Sequence, residues 1–167
     1  MIYMVELRRE NIKILKELFG LDANIYEGNY LNNFNNNDSE KFDVIIGNPP
    51  FNYNGRKKVP TNIKNNKNQD GLTIWGAFII KNIKILKKNT GILCIFIPSI
   101  WLKPDKEKNY YLLTQYDIKK LNCITNTETN KLFKGNAQTP TCYFLLTKRE
   151  TDKIITIFDK DRNEYIE

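Results

Sequence analysis

The 167-residue sequence contains no histidine. Imidazole bases, His-containing nucleophilic triads and His-ligated metals are therefore excluded. Cysteine is scarce: Cys94, Cys123 and Cys142 are odd in number, widely spaced and form no C-x-x-C pair, which argues against a thiolate metal site or a redox couple. Cys94 and Cys142 stand in apolar runs and read as buried, reduced thiols, which suits a cytoplasmic location. Only eight glycines occur, and no two form a Gly-x-Gly segment. Long apolar runs are also missing. The longest, Gly91 to Leu102, is too short to cross a bilayer and contains Pro98, and no N-terminal signal segment is visible.

What is present is a basic excess over a composition rich enough for a core. Lys and Arg number 26 against 19 Asp and Glu, giving a formal charge of +7. Such a balance suits a polyanionic partner, nucleic acid above all. It is equally the signature of an A/T-rich coding sequence that over-uses Lys, Asn and Ile. With 41% hydrophobic residues, the length suffices for one domain with a real core.

Periodicity predicts a strand over Ile2 to Glu6 and a helix over Arg9 to Phe19, with Ile12, Leu15, Leu18 and Phe19 on one face and Gly20 as its stop. A short strand is expected over Ala23 to Tyr26, then an Asn-rich loop over Asn32 to Glu40. Phe42 to Gly47 is a continuous apolar run, the pattern of a parallel strand buried on both faces. A long basic loop, Asn52 to Gly71, carries Arg56, Lys57, Lys58, Lys64 and Lys67. A helix is expected within Leu72 to Lys88, a buried strand over Ile92 to Ile97, and a helix over Asn109 to Tyr116. Further strands are expected over Lys119 to Thr125, Thr141 to Thr147 (central or nearly so) and Ile154 to Phe158. This alternation indicates an α/β domain with a largely parallel sheet.

The strongest motif is Asn48-Pro49-Pro50-Phe51, directly after the Phe42–Gly47 strand. In open α/β sheets ligands bind beyond the carboxyl ends of strands. These residue types suit an exocyclic amine, a poor nucleophile whose lone pair is delocalised into its ring. The Asn48 side-chain carbonyl and the Pro49 main-chain carbonyl can each accept one amine hydrogen and aim the nitrogen at a methyl donor. The two prolines keep those carbonyls out of a ladder, and Phe51 offers a face for stacking a base. A base within a duplex must be flipped out to reach such a site. Asp43 is expected to stabilise the strand entrance rather than to react.

With these residues in place the sequence resembles the gamma-type adenine-N6 DNA methyltransferases, catalytic regions of restriction–modification enzymes in particular, over roughly residues 1 to 150. Asn48-Pro49-Pro50-Phe51 matches that family's catalytic motif. Tyr3-Met4-Val5-Glu6 resembles its second strand, which implies that Glu6 binds the ribose hydroxyls of S-adenosylmethionine; Glu6 also reads as a helix-start acid. Gly28-Asn29-Tyr30-Leu31 resembles the family's Gly-Asp-Phe-Leu segment, with Asn29 in place of the Asp that contacts the cofactor adenine. Gly91 to Leu102 resembles the fifth strand. Leu132-Phe133 to Thr147 resembles the late motif whose aromatic packs on the flipped base, which assigns that role to Phe133; ordinary core is its other reading. The lysines of the 52–71 loop read either as phosphate contacts or as a solvated loop.

The resemblance implies a Rossmann-like S-adenosylmethionine-dependent methyltransferase sheet with helices on both faces, lacking the first strand and its glycine loop and so N-terminally truncated. Residues 1–150 are then a partial catalytic domain, and residues 151–167 a C-terminal strand or tail, or the start of a recognition domain. The expected partners are DNA and a second polypeptide supplying the glycine loop and target recognition. Two other readings stand beside methylation of adenine in DNA. One is methylation of rRNA guanine or a protein glutamine, since those families share N-P-P-[FY]. The other is an inactive DNA- or partner-binding remnant of a restriction–modification system.

Overall fold

A computed structural model describes residues 1–32, 39–53, 73–104, 108–137, 139–151 and 154–167. The chain divides into two compact units, Met1–Ser39 and Glu40–Glu167.

The first unit is a β–α–β element. Strand β1 (Tyr3–Glu6) pairs in parallel with β2 (Asn24–Glu27), and α1 (Arg9–Phe19) connects them. Gly20 ends α1 as expected, with φ 91° and its N–H donating to the Lys16 carbonyl at 2.9 Å. The expected apolar face of α1 is only partly used. Ile12 is buried, whereas Leu18 and Phe19 are 69% and 58% exposed. Two four-residue strands offer too little surface to cover an eleven-residue helix.

The second unit holds a six-stranded sheet in the order β3-β4-β6-β5-β7-β8, formed by Val44–Gly47, Ile92–Pro98, Thr141–Glu150, Tyr116–Ile124, Thr156–Asp159 and Glu164–Ile166 respectively. The expectation of a largely parallel sheet is corrected here. Among the described residues of this sheet only β3–β4 and β5–β7 are parallel; β6 runs antiparallel to both neighbours, and β7–β8 is antiparallel. Local apolar pattern reports burial, not strand direction. Thr141–Thr147 does prove central, lying between β4 and β5. The β7–β8 hairpin over residues 156–166 adds to the same sheet through β5.

Alternation along β4 sends Leu93, Ile95 and Ile97 into the core. There they meet Trp75, Ile79 and Ile83 of α2 (Trp75–Ile85), Leu113 of α3 (Lys108–Thr114), Trp101 from the 3₁₀ turn Ser99–Leu102, and Cys142, Phe144 and Leu146 of β6. The i, i+4, i+8 spacing of Trp75, Ile79 and Ile83 makes one stripe on α2. Each such side chain contributes about 1.5–3 kcal/mol when fully buried. The opposite face of the sheet receives α4 (Asn126–Leu132), whose Thr129 hydroxyl bonds to that of Thr141 on β6 at 2.8 Å. Asp117 on β5 is wholly buried and is neutralised by Arg149 at 2.6 Å and Lys119 at 3.0 Å.

A second correction concerns Phe42–Gly47. The strand is there, shortened to Val44–Gly47, but among the described residues it is the outermost strand of its sheet rather than buried on both faces. Val44 is 51% and Ile46 78% exposed. The three cysteines are free thiols; Cys142 is buried, while Cys94 and Cys123 are half-buried. Burial pushes the Cys142 thiol up to about 12.

Candidate active site

Strand β3 ends at Gly47 and delivers Asn48-Pro49-Pro50-Phe51 at the carboxyl end of the strand, the rim where α/β sheets bind ligands. Asn48 and Pro50 are exposed, Pro49 is buried and Phe51 half-buried. Pro49 and Pro50 lack N–H groups, so the segment cannot extend a ladder. It is anchored one residue later instead. The Phe51 carbonyl accepts from the Ile74 N–H at 3.1 Å, and Asn52 bridges Thr73 in antiparallel fashion. Among the described residues, neither the Asn48 side chain nor the Pro49 carbonyl has a hydrogen-bond partner. The exposed Asn48 side chain is thus open to an external donor, while the unpartnered Pro49 carbonyl belongs to a buried residue. Asp43 at the strand entrance pairs with Lys87 at 2.6 Å, which holds its carboxyl below the usual range.

Phe51 and Phe133, which are 82 residues apart, meet. Their centroids lie 6.1 Å apart at 70°, edge to face. The third member of the cluster, Phe96 of β4, was missed by sequence reasoning. It lies 6.5 Å from Phe51 with nearly parallel rings (10°) and 5.6 Å from Phe133. Tyr143, directly opposite Phe96 on β6, continues the row at 6.4 Å and 15°. The alternation of β4 was the available signal, since it puts Phe96 on the face away from Leu93, Ile95 and Ile97.

Phe133 owes its place to α4. That helix starts with a full capping box: the Thr125 hydroxyl accepts from the Glu128 N–H, and the Glu128 carboxylate accepts from the Thr125 N–H at 2.8 Å. It ends in a left-handed turn in which the Gly135 N–H (φ 84°) reaches the Asn130 carbonyl at 2.9 Å. Lys160 also pairs with Glu128. The Lys160 bond first, then the Thr125 bonds, draws the Glu128 carboxyl down from 4.5 to about 2. A depressed carboxyl stabilises above its ordinary pKa and loses that contribution as pH falls through the folded value. Amide protection of α4 is therefore expected to weaken between pH 4.5 and about 2, and Glu128→Gln to flatten that dependence in hydrogen exchange. A pH profile shared by wild type and variant would remove Glu128 as its cause.

In the first unit, Glu6 stands at the carboxyl end of β1. Its Oε1 accepts from the Arg8 N–H at 2.8 Å, and this bond lowers its pKa, so the group is an anion that also braces the start of α1. The Asn29 Oδ1 accepts from the Leu31 N–H at 3.0 Å, an Asx turn that engages one of the two lone pairs expected to meet a cofactor. Arg56, Lys57, Lys58, Lys64 and Lys67 lie outside the described residues, as does most of the 32–40 loop. Among the described residues no cluster of acids and cysteines could hold a metal.

The sequence profile of the family described as Eco57I restriction-modification methylase matches residues 3–133. No curated protein matches the chain in sequence. Among solved structures, the type I restriction-modification methyltransferase subunit of Streptococcus thermophilus superposes with a TM-score of 0.61 at 16% identity, over 98% of this chain and 38% of its own. The M protein of the type I restriction enzyme EcoKI gives 0.59 at 14% identity, over 94% and 35%. A Listeria monocytogenes protein described as a class I S-adenosylmethionine-dependent methyltransferase gives 0.57 at 15%, over 92% and 47%. These likenesses establish an α/β methyltransferase-like fold. The chain spans less than half the length of each.

Proposed function

Because this chain belongs to the Eco57I restriction-modification methylase family, we propose that it forms the catalytic part of a DNA methyltransferase that moves a methyl group from S-adenosylmethionine to N6 of a flipped adenine. The observation that carries this reading is the pair of free acceptors, Asn48 Oδ1 and the Pro49 carbonyl, next in sequence to a Phe51 ring already clustered with Phe96 and Phe133.

The amine donates one hydrogen to each carbonyl. That draws its nitrogen out of conjugation and aims its lone pair. The base stacks on Phe51, with Phe133 edge-on to that ring at the rim of the stacking site. The product amine is acidic enough to shed its proton late, so the absence of histidine is no obstacle. S-adenosylmethionine supplies the electrophilic methyl group. In the first unit the anionic Glu6 suits the ribose hydroxyls and Asn29 the adenine amine, its Oδ1 keeping one lone pair for that purpose. Target recognition and the hold on the methionine end of the cofactor are assigned to a partner polypeptide. Arg56, Lys57, Lys58, Lys64 and Lys67 are assigned to DNA phosphates. Among the described residues no helix is long and apolar enough to cross a membrane, and the reaction belongs in the cytoplasm with its DNA.

Transfer of labelled methyl from S-adenosylmethionine tests the reading. Label in DNA supports it; label in rRNA or in a protein glutamine instead, or in no acceptor with or without a partner chain, overturns it. Phe51→Ala is expected to weaken binding of an adenine placed opposite an abasic site by roughly 1–3 kcal/mol, read by fluorescence titration. Unchanged affinity would argue against stacking.

A further inference from the structure

Acids are scarce in the stretches that build the candidate site. No Asp or Glu lies between Glu128 and Glu150, and Asp70 is the only one between Asp43 and Asp105. Those stretches supply Asn48 to Phe51, Phe96 and Phe133. A coding bias that enriches lysine does not remove Asp and Glu, so composition alone leaves the gap unexplained. Several cations there have duties within the fold. Lys87 pairs with Asp43, the Lys148 ammonium donates to the Leu86 carbonyl at 2.7 Å, and Arg149 holds the buried Asp117. Lys131 and Lys134 are different: both are exposed, and among the described residues neither ammonium has a partner.

These two lysines bracket Phe133 at the end of α4. The Lys134 N–H donates to the Lys131 carbonyl at 3.2 Å, closing a turn that sets the two residues side by side. Lys134 has φ 49°, a left-handed conformation that a residue with a Cβ disfavours. The turn is held all the same, by the Gly135 N–H on the Asn130 carbonyl and by the buried Thr129–Thr141 bond that fixes α4 to β6. We propose that Lys131 and Lys134 bind the two phosphates flanking the flipped adenine, on the DNA strand that carries it. An extruded nucleotide turns about its own backbone, so its phosphates stay at the rim while the base goes in. An ammonium on a flexible stem suits phosphates that shift as the nucleotide swings out. An acidic protein surface would meet the same charges. The ring between them, however, packs on Phe51 and Phe96, which puts the cations beside a base-stacking site.

The inference rests on DNA being the substrate and is tested by binding alone. The full chain is titrated, over a range of salt concentrations, with a duplex carrying adenine opposite an abasic site. Lys131→Gln and Lys134→Gln are each expected to reduce the slope of log affinity against log salt by roughly 0.7–0.9, with the melting temperature unchanged. Neutral methylphosphonates at the two flanking positions should weaken binding by wild type and cost the double variant nothing further. Lys88→Gln removes the same charge just before β4, at the end of that strand remote from Phe96, and should leave the slope as it is. Equal slopes for wild type and the double variant would overturn the assignment. So would an equal loss in Lys88→Gln, a methylphosphonate penalty that persists in the double variant, or a lower melting temperature as the lysine variants' only effect. DNA binding with unaltered slopes removes these contacts and leaves the proposed function standing; no DNA binding by wild type, alone or with a partner chain, removes both.

Discussion

Replacing Asn48 by alanine is expected to lower the methylation rate by roughly two orders of magnitude or more, equivalent to about 3 kcal/mol of barrier. The size follows from what is lost. The amine hydrogen held by the side chain has no other acceptor at that position, and the nitrogen stays conjugated with its ring. Asn48 is exposed and, among the described residues, bonds to nothing within the protein. The substitution should therefore leave stability within about 0.5 kcal/mol of wild type, which separates a chemical effect from a folding one. The split in kinetic constants is diagnostic as well. Loss in kcat with KM little changed marks an interaction made mainly in the transition state. A fall of less than tenfold would show that Asn48 is not the acceptor.

Trp101→Ala is the largest expected loss of stability, roughly 3–5 kcal/mol, or a melting temperature lower by roughly 10 °C. The indole is 1% exposed and sits edge-on to Phe144 at 5.3 Å. Its Nε1–H donates to Cys142 Sγ at 3.1 Å. Burial keeps that sulfur protonated at neutral pH, so it accepts as a neutral thiol. Removing the ring leaves a cavity between the turn after β4 and strand β6, the two strands that carry Phe96 and Tyr143. Trp101→Phe keeps most of the volume and loses the N–H, so its cost should be smaller, about 1–2 kcal/mol. Equal melting temperatures for wild type and Trp101→Ala in differential scanning calorimetry would contradict this packing.

Local features were legible where the cause was local. Helix α1 begins and ends where its periodicity and Gly20 place it. The strand before Asn48 and the central position of Thr141–Thr147 followed from continuous apolar runs. Strand direction was not legible, because a run such as Thr141-Cys142-Tyr143-Phe144-Leu145-Leu146 reads alike whichever way its neighbours point. Burial of β3 was overestimated for a related reason: apolar sequence records what a strand is built to contact, and Val44 and Ile46 contact too little in this chain. Helix α4 passed unnoticed although Thr125-x-x-Glu128 is a capping box written in the sequence; seven residues are too few for a periodic signal. At the candidate site, Asn48 to Phe51 and Phe133 were found from motif and resemblance. Phe96 and Tyr143 were not, because pairing of β3 with β4 brings Phe96 to Phe51, and pairing of β4 with β6 brings Tyr143 to Phe96.

The most direct test of the two-carbonyl account is nucleoside mass spectrometry of DNA from cells expressing the chain with any partner it requires, wild type beside Asn48→Ala. N6-methyladenine in the wild-type sample and its near disappearance in the variant is the predicted result. Equal N6-methyladenine in both samples, or none in either while methyl groups accumulate in rRNA or protein, would contradict it.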